Sequence, residues 1–160
     1  MLDQLSPQSR IWIFQSTRKL SEFEQDFIRQ KMDEFIPQWA AHGDSLFGGY
    51  DVREFHFLIV AVDESKAMAS GCSVDTLMHK VQEIGKELEI DFMNRLMIAY
   101  EADGEIQLAP MEEFKALIRS GTVDGNTTVF NNLVPTKAEF DQAWKTTVAN
   151  SWHKNLLQIV

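Results

Sequence analysis

Short apolar runs of strand length alternate with amphipathic helical patterns along the first half of this chain. Residues 11–14 are too few for a helix and rich in strand-forming side chains. Residues 55–62 are almost wholly apolar, which is typical of a strand covered on both faces. Apolar side chains at helical spacing predict one helix that begins after Ser21, where Ser21 and Glu24 form a capping box, and another over residues 74–88. The glycine-rich residues 41–50 are predicted to form a loop.

A β-hairpin is predicted in the second half of the chain. Apolar residues alternate with others over residues 96–100, and Asp103-Gly104 is a two-residue turn signal that leads into a second strand at residues 105–108. Because a hairpin joins antiparallel strands, a purely parallel, doubly wound sheet is not expected.

The rest of the chain adds further helices and strands. A third helix is predicted with Pro110 in its first turn, a strand over residues 127–134 and a fourth helix after Thr136, while residues 148–157 fit either a closing strand or a short helix. No internal repeat or change of composition marks a second domain. We therefore expect one single α+β domain over residues 1–160, with a mixed β-sheet, about four helices and one β-hairpin.

The charge and the cysteine content exclude several classes of partner and location. The chain has 160 residues and a formal net charge of −9, which repels nucleic-acid phosphates and anionic membrane surfaces. Its single cysteine cannot form an internal disulfide, no apolar stretch reaches the length of a membrane span, and the first residues lack the pattern of a signal peptide. These features predict a cytoplasmic protein without nucleic-acid or membrane partners.

The cysteine is the most informative candidate for chemistry. Cys72 lies where a loop leads into a helical pattern, and a helix start favours a thiolate through its free N–H groups and its dipole. Ser73 is the expected N-cap of this helix. A nucleophilic cysteine also needs a base. His79 lies about 10 Å along the helix, so His153 is the candidate that folding would have to bring close. The simpler interpretation is a buried or half-buried apolar cysteine.

Two further groups of side chains fit a ligand-binding site. Residues beside the cysteine could present hydroxyl and N–H groups, and polar or aromatic residues later in the chain could line a pocket. These candidates are Ser70, Gly71, Ser73, Asn131, Asn132 and Trp152. The structural alternatives are that the asparagines complete turns through their side chains and that Trp152 packs against the core.

The residues give little support to phosphate-loop or metal chemistry. Residues 85–87 read Gly-Lys-Glu, where a phosphate-binding loop needs Ser or Thr after the lysine, and this excludes ATP hydrolysis by such a loop. Asp63, Glu64 and Asp75 could share one rim and bind a metal, but acidic residues scattered in this way are typical of solvated loops. No metal and no cofactor are predicted.

Three segments carry a resemblance to a known family. They are Ser70-Gly71-Cys72-Ser73-Val74-Asp75, Val129-Phe130-Asn131-Asn132-Leu133-Val134 and Ser151-Trp152-His153. In these segments the chain resembles a family of uncharacterised bacterial proteins of similar length, some of which carry the label "ABC transporter ATPase". The resemblance covers most of the chain and implies no established activity, so it assigns no catalytic residue.

The sequence therefore favours a non-catalytic binding or interaction domain, because no complete set of nucleophile, metal or phosphate-binding residues is present. Its partner would be an unknown small molecule, another protein or a second copy of the chain in a homo-oligomer. The alternative is a cysteine-dependent hydrolase or transferase, in which Cys72 is the nucleophile, the helix start stabilises the oxyanion and His153 is the base.

Overall fold

A computed structural model describes residues 2–158 of this chain as an α+β protein, which confirms the predicted fold class. The chain divides into two compact units. The first contains the chain up to Asn94 together with Pro135–Ala138, and the second contains Arg95–Val134 with the chain from Glu139 onwards. The single-domain organisation stays a prediction. Among the described residues, no helix is long and apolar enough to cross a membrane.

The main sheet of the first unit is built around one fully buried strand. The strands of this unit are β1 (Arg10–Gln15), β2 (Ala40–Ala41), β3 (Asp44–Ser45), β4 (Gly48–Arg53) and β5 (Phe57–Val62). β5 lies at the centre of an antiparallel sheet of order β1-β5-β4, in which Arg10 and Gly48 both face Val62. All six residues of β5 are buried, as the apolar run predicts. β2 and β3 form a separate small hairpin.

The outer edge of β1 is covered at its first two residues by the segment Pro135–Ala138, although this segment is remote in sequence. The Ile11 N–H donates to the Pro135 carbonyl oxygen at 3.1 Å, and Arg10 forms an antiparallel bridge with Thr136. The Lys137 N–H donates to the Ser9 carbonyl oxygen at 2.9 Å. These bonds explain why a short piece of the later chain belongs to the first unit.

Two helices, α1 (Glu22–Phe35) and α2 (Gly71–Leu88), complete the first unit. α1 begins at the predicted capping box, since the Ser21 hydroxyl accepts the Glu24 N–H and the Glu24 carboxylate accepts the Ser21 N–H. A 3₁₀ turn at Ile36–Gln38 follows α1, where a proline removes a helical N–H donor. The buried faces of both helices share one apolar core with β5.

The start of α2 differs from the prediction. Ser70 is the N-cap in place of Ser73, because the helix begins at Gly71 and the Ser70 hydroxyl accepts the Ser73 N–H at 3.1 Å. Ser73 occupies the third helical position and returns the hydrogen bond, since its Oγ accepts the Ser70 N–H at 2.7 Å. Cys72 therefore lies inside the first helical turn.

A four-stranded antiparallel sheet of order β7-β6-β8-β9 forms the second unit. Its strands are β6 (Met97–Ala102), β7 (Glu105–Pro110), β8 (Thr128–Phe130) and β9 (Lys145–Thr147). The later helices are α3 (Met111–Arg119), α4 (Lys137–Ala143) and α5 (Lys154–Leu157), with 3₁₀ turns at Val148–Asn150 and, near the start of the chain, at Leu2–Gln4. β6 and β7 are the predicted hairpin, and Asp103 and Gly104 have the positive φ values, 54° and 78°, that its turn requires.

Other details of the predicted sheet are corrected. The sequence predicts one mixed sheet, but the described strands form three separate sheets in which every pairing is antiparallel. The predicted loop at residues 41–50 contains β3 and parts of β2 and β4, because β2 pairs with β3 and β4 pairs with β5. Glycine suits position 48 of β4, since a Cβ there would approach the Ala61 carbonyl oxygen to 3.3 Å. The predicted strand at residues 127–134 shortens to β8, since Asn131 begins a turn.

Candidate functional site

A cleft of the first unit lies between the end of α1 and one face of α2. The cleft is half open to solvent and has a volume of about 430 Å³. It is lined by Phe35, Gln38, Trp39, Ala40, Thr76, His79, Lys80 and Glu83. The first four of these residues come from the end of α1 and the chain that follows it, and the other four come from α2.

Trp39 and Phe35 form a fixed aromatic floor in the cleft. Trp39 is 2% exposed, and its indole Nε1 donates a 2.8 Å hydrogen bond to the backbone carbonyl oxygen of Ser73. The centroid of its ring lies 5.4 Å from that of Phe35 and 5.9 Å from that of Trp12. Because the indole is held by this bond and by ring contacts, the floor needs little ordering before a molecule binds.

The polar wall of the cleft comes from one face of α2. Thr76, His79, Lys80 and Glu83 occupy positions i, i+3, i+4 and i+7, so their side chains lie on the same side of the helix. Lys80 Nζ lies 3.5 Å from Glu83 Oε2, and the Glu83 side chain is 63% exposed. The Lys80 side chain is less open, at 28%, but Lys80 and Glu83 both line the cleft, and a partly exposed pair of this kind contributes little to stability.

Cys72 lies at the start of the same helix face. It precedes Thr76 and Lys80 by four and eight residues, and Thr76 Oγ1 donates to the Cys72 carbonyl oxygen at 2.9 Å. The side chain is exposed, which corrects the interpretation of a buried or half-buried apolar cysteine. Within the described part of the first unit, no side chain forms a hydrogen bond with the thiol. The Cys72 thiol is therefore accessible, but no base contacts it in this part of the structure.

The histidines of the first unit have other surroundings. His42 is exposed in the turn between β2 and β3. His56 is buried, and its Nδ1 donates to the Glu54 carbonyl oxygen at 2.8 Å. Burial lowers the pKa of His56, so its imidazole is neutral at neutral pH. His79 follows Cys72 by seven residues, which is about 10 Å along the helix axis and too far for a direct hydrogen bond.

The predicted ligand-binding residues beside Cys72 serve the helix start. Ser70 and Ser73 cap each other, and Ser73 Oγ also donates to the Ser70 carbonyl oxygen at 2.8 Å. Gly71 is exposed, with open space where a Cβ would stand. The hydroxyl groups that a ligand would need are thus engaged in shaping α2.

His153 lies in the core of the second unit. It is 1% exposed, its Nδ1 is 2.7 Å from Ser151 Oγ, and its ring stacks on Trp152 with centroids 3.9 Å apart. Burial lowers the pKa of His153 to about 4, so the imidazole is neutral at neutral pH. Trp152 is half-buried and packs against the apolar core that contains Phe114. The pairing of His153 with Cys72, which belongs to the first unit, stays a prediction.

The two asparagines are used in local structure. Asn131 Oδ1 accepts the Leu133 N–H at 3.1 Å, which closes the turn after β8. Asn132 Oδ1 accepts the indole Nε1–H of Trp144 at 3.0 Å. In both contacts the asparagine side chain serves local structure, and a ligand-binding role for these amides stays a prediction.

The acidic residues considered for a metal site act in the loop before α2. Asp63 Oδ1 accepts the Ser65 N–H at 3.0 Å and the Ser65 hydroxyl at 2.6 Å, and Glu64 Oε2 accepts the Ala69 N–H at 2.9 Å. Asp75 is exposed on α2. Among residues 2–158, no three His, Cys, Asp or Glu side chains converge as metal ligands would.

Comparison of the chain with family models, with curated proteins and with solved structures found no match. The resemblance to the bacterial family labelled "ABC transporter ATPase" therefore stays a prediction. The candidate site depends on the geometry of the cleft alone.

Sequence reasoning missed this cleft. The floor residues Phe35 and Trp39 fit the apolar face of a helix, and the wall residues at positions 76–83 fit its solvent-facing side. The polar spacing in α2 is a signal, but it is shared by ordinary surface helices. Only the approach of the chain after α1 to α2 turns the two patterns into one concave site.

Proposed function

We propose that this chain is a non-catalytic binding domain and that the cleft between α1 and α2 holds its ligand. The observation that carries the proposal is the fixed indole of Trp39 beside the open pair of Lys80 and Glu83. An apolar floor with a few convergent polar groups is the composition of small-molecule sites.

The lining of the cleft supports binding without covalent chemistry. It contains neither Cys nor Ser, and the hydroxyl of Thr76 already donates to the Cys72 carbonyl oxygen. A nucleophile needs a base within hydrogen-bond reach, and no such pair is formed among the lining residues. His79 and Glu83 are better suited to hydrogen bonding and charge pairing with a ligand.

A cysteine-dependent hydrolase or transferase is the second candidate. It is favoured by the exposure of Cys72 in the first turn of α2. It still requires a base in contact with the thiol. Unlike the binding proposal, this candidate requires that function is lost when the thiol of Cys72 is removed.

The proposal places the protein in the cytoplasm, where a single exposed thiol stays reduced. The partner is a small molecule or another protein, because a formal charge of −9 disfavours nucleic acid and anionic membrane surfaces. The proposal also includes self-association of the chain into a homo-oligomer.

The test is an NMR titration of the ¹⁵N-labelled full chain with a library of small metabolites. A ligand in the cleft should shift the indole N–H signal of Trp39 and the backbone amides of residues 76–83 in a saturable way. Cys72→Ser should bind with the same Kd as the natural chain, because the thiol lies outside the cleft lining.

Two results would overturn the binding proposal. One is a library in which no compound moves the Trp39 indole signal or the α2 amides. The other is a turnover reaction that disappears in Cys72→Ser, which would establish the second candidate. Lys86→Gln, an exposed α2 residue outside the cleft lining, controls for nonspecific effects of a changed helix charge.

A further inference from the structure

We infer that the ligand of the cleft is a small zwitterion with an apolar side chain, the chemistry of a free α-amino acid. The inference rests on the proposed function and names the ligand class of the same site. It is drawn from the position of two opposite charges beside an aromatic floor.

The charges in the cleft match the charges of such a ligand. Lys80 Nζ and Glu83 Oε2 are 3.5 Å apart. An α-amino acid carries its carboxylate and its ammonium group on one carbon atom, so its two charges are separated by a similarly short distance. The carboxylate can pair with Lys80 while the ammonium group pairs with Glu83.

A singly charged ligand fits this pair less well. It would compete for one member of the pair and leave the other without its present partner. A zwitterion replaces one open ion pair by two, and each charge keeps a neighbour of opposite sign. A ligand with two negative charges is disfavoured in addition, because Glu83 lies beside the lysine that would bind it.

The remaining polar groups complete the assignment. Thr76 Oγ1 gives its proton to the Cys72 carbonyl oxygen, so its lone pairs are left to accept from an ammonium group. The Gln38 amide and the His79 imidazole can each donate to a carboxylate oxygen. Both kinds of partner are therefore present in the lining.

The floor assigns the apolar part of the ligand. Trp39 and Phe35 border the cleft with the small parts of their rings that are not buried, and Trp39 is held in place by its bond to Ser73. Ring faces and edges favour aromatic and other bulky apolar side chains. The expected ligands are accordingly apolar or aromatic amino acids rather than glycine-like or acidic ones.

The test compares three probes with the same phenyl ring and different charges: L-phenylalanine, 3-phenylpropionate, which lacks the ammonium group, and phenethylamine, which lacks the carboxylate. Each is titrated at millimolar concentration into the ¹⁵N-labelled full chain, with the Trp39 indole signal as the readout. L-Phenylalanine should bind with the lowest Kd, by about fivefold or more over either analogue.

Charge variants assign each half of the ligand. Lys80→Gln should weaken L-phenylalanine and 3-phenylpropionate by about fivefold and leave phenethylamine unchanged, whereas Glu83→Gln should weaken L-phenylalanine and phenethylamine only. Lys86→Gln and Glu87→Gln, which make the same charge changes on α2 outside the lining, should leave all three Kd values unchanged.

The outcomes distinguish a failure of the inferred ligand class from a failure of the proposed binding function. If the three probes bind in the cleft with equal Kd values, or if the charge variants affect them alike, the zwitterion is overturned and the binding domain stands. If neither these probes nor any library compound shifts the Trp39 indole signal, the proposed function is overturned together with its ligand class.

Discussion

Trp39 and Ser73 are joined by a 2.8 Å hydrogen bond from the indole Nε1 to the backbone carbonyl oxygen. The bond connects the chain that follows α1 to the first turn of α2. One side chain therefore holds the floor of the cleft and contacts the helix that supplies its polar wall. The geometry of the site depends on this link.

Trp39→Phe should destabilise the protein by about 2 kcal/mol, because it removes a buried donor and part of a buried ring. Urea unfolding followed by circular dichroism measures the change. Trp12→Phe is the matched control, since this indole is half-buried and donates no hydrogen bond to any described residue. Equal losses in the two variants would show that the bond to Ser73 contributes nothing.

Two glycines of α2 should respond to alanine with opposite signs. Gly71→Ala is expected to stabilise by about 0.5 kcal/mol, because the position is helical and exposed and nothing lies within 4 Å of an added Cβ. Gly85→Ala is expected to destabilise by about 2 kcal/mol, because its Cβ would meet the Ile90 carbonyl oxygen. Thermal unfolding of both variants checks the pair, and a shift of Tm in the same direction would refute it.

The contact between Arg18 and Glu24 should add an acid-sensitive contribution to stability. The hydrogen bonds from the Arg18 guanidinium lower the pKa of Glu24 to about 2, from an ordinary value of 4.5. The stabilisation is therefore present above pH 5 and is lost as the pH falls towards 2.

Glu24→Gln should cost about 1 kcal/mol at pH 7, since the Arg18 side chain is partly exposed, and the difference should vanish near pH 2. Asp26→Asn, which breaks the exposed contact with Arg29, should cost less than about 0.5 kcal/mol. Urea unfolding as a function of pH distinguishes the two. A Glu24→Gln deficit that persists unchanged at pH 2 would contradict this assignment.

His153 should make the protein less stable as the pH falls below 6.5. Its pKa is lowered by burial to about 4, so the unfolded chain binds a proton between these values and the folded chain does not. The expected loss between pH 7 and pH 4 is up to about 3 kcal/mol. His153→Asn should have a flatter pH dependence, whereas the exposed His79→Asn should follow the natural chain. If the free energy of unfolding of the natural chain and of His153→Asn changed with pH in parallel, this prediction would be wrong.

The turn between β4 and β5 should be stabilised by glycine. Phe55 has a φ of 57°, which is unfavourable for a bulky side chain, and it is 47% exposed beneath Lys19 Nζ. Phe55→Gly should raise stability by about 0.5 kcal/mol after the loss of the cation–π contact. Phe47→Gly is the control: Phe47 is similarly exposed beneath Lys66, but its φ is not positive, so the substitution should destabilise.

The parts of the fold that sequence predicted are those with local causes. The capping box at Ser21, the turn at Asp103-Gly104 and the buried strand β5 each depend on a few neighbouring residues. Such signals involve hydrogen bonds and periodicities within one element, so they can be recognised without knowledge of the tertiary structure.

The parts that sequence did not predict depend on distant contacts. β4 has two glycines at its start and becomes a strand because it pairs along its length with β5. The N-cap of α2 was displaced by three residues because Ser70 and Ser73 are both capping residues and only their mutual bonds decide between them. The cleft needs the long-range bond from Trp39, for which no local pattern exists.

The cover on the outer edge of β1 has a consequence for how the chain is made. β1 can pair with β5 soon after residue 62 leaves the ribosome, but the start of its other edge, at Arg10 and Ile11, stays open until Pro135–Ala138 has been synthesised. Translation must therefore proceed well into the second unit before the first is finished, and until then the nascent chain carries β1 with part of one edge unpaired. Open strand edges of this kind pair with other chains. Premature termination between β5 and Pro135 would therefore yield an aggregation-prone fragment rather than an independently folded unit.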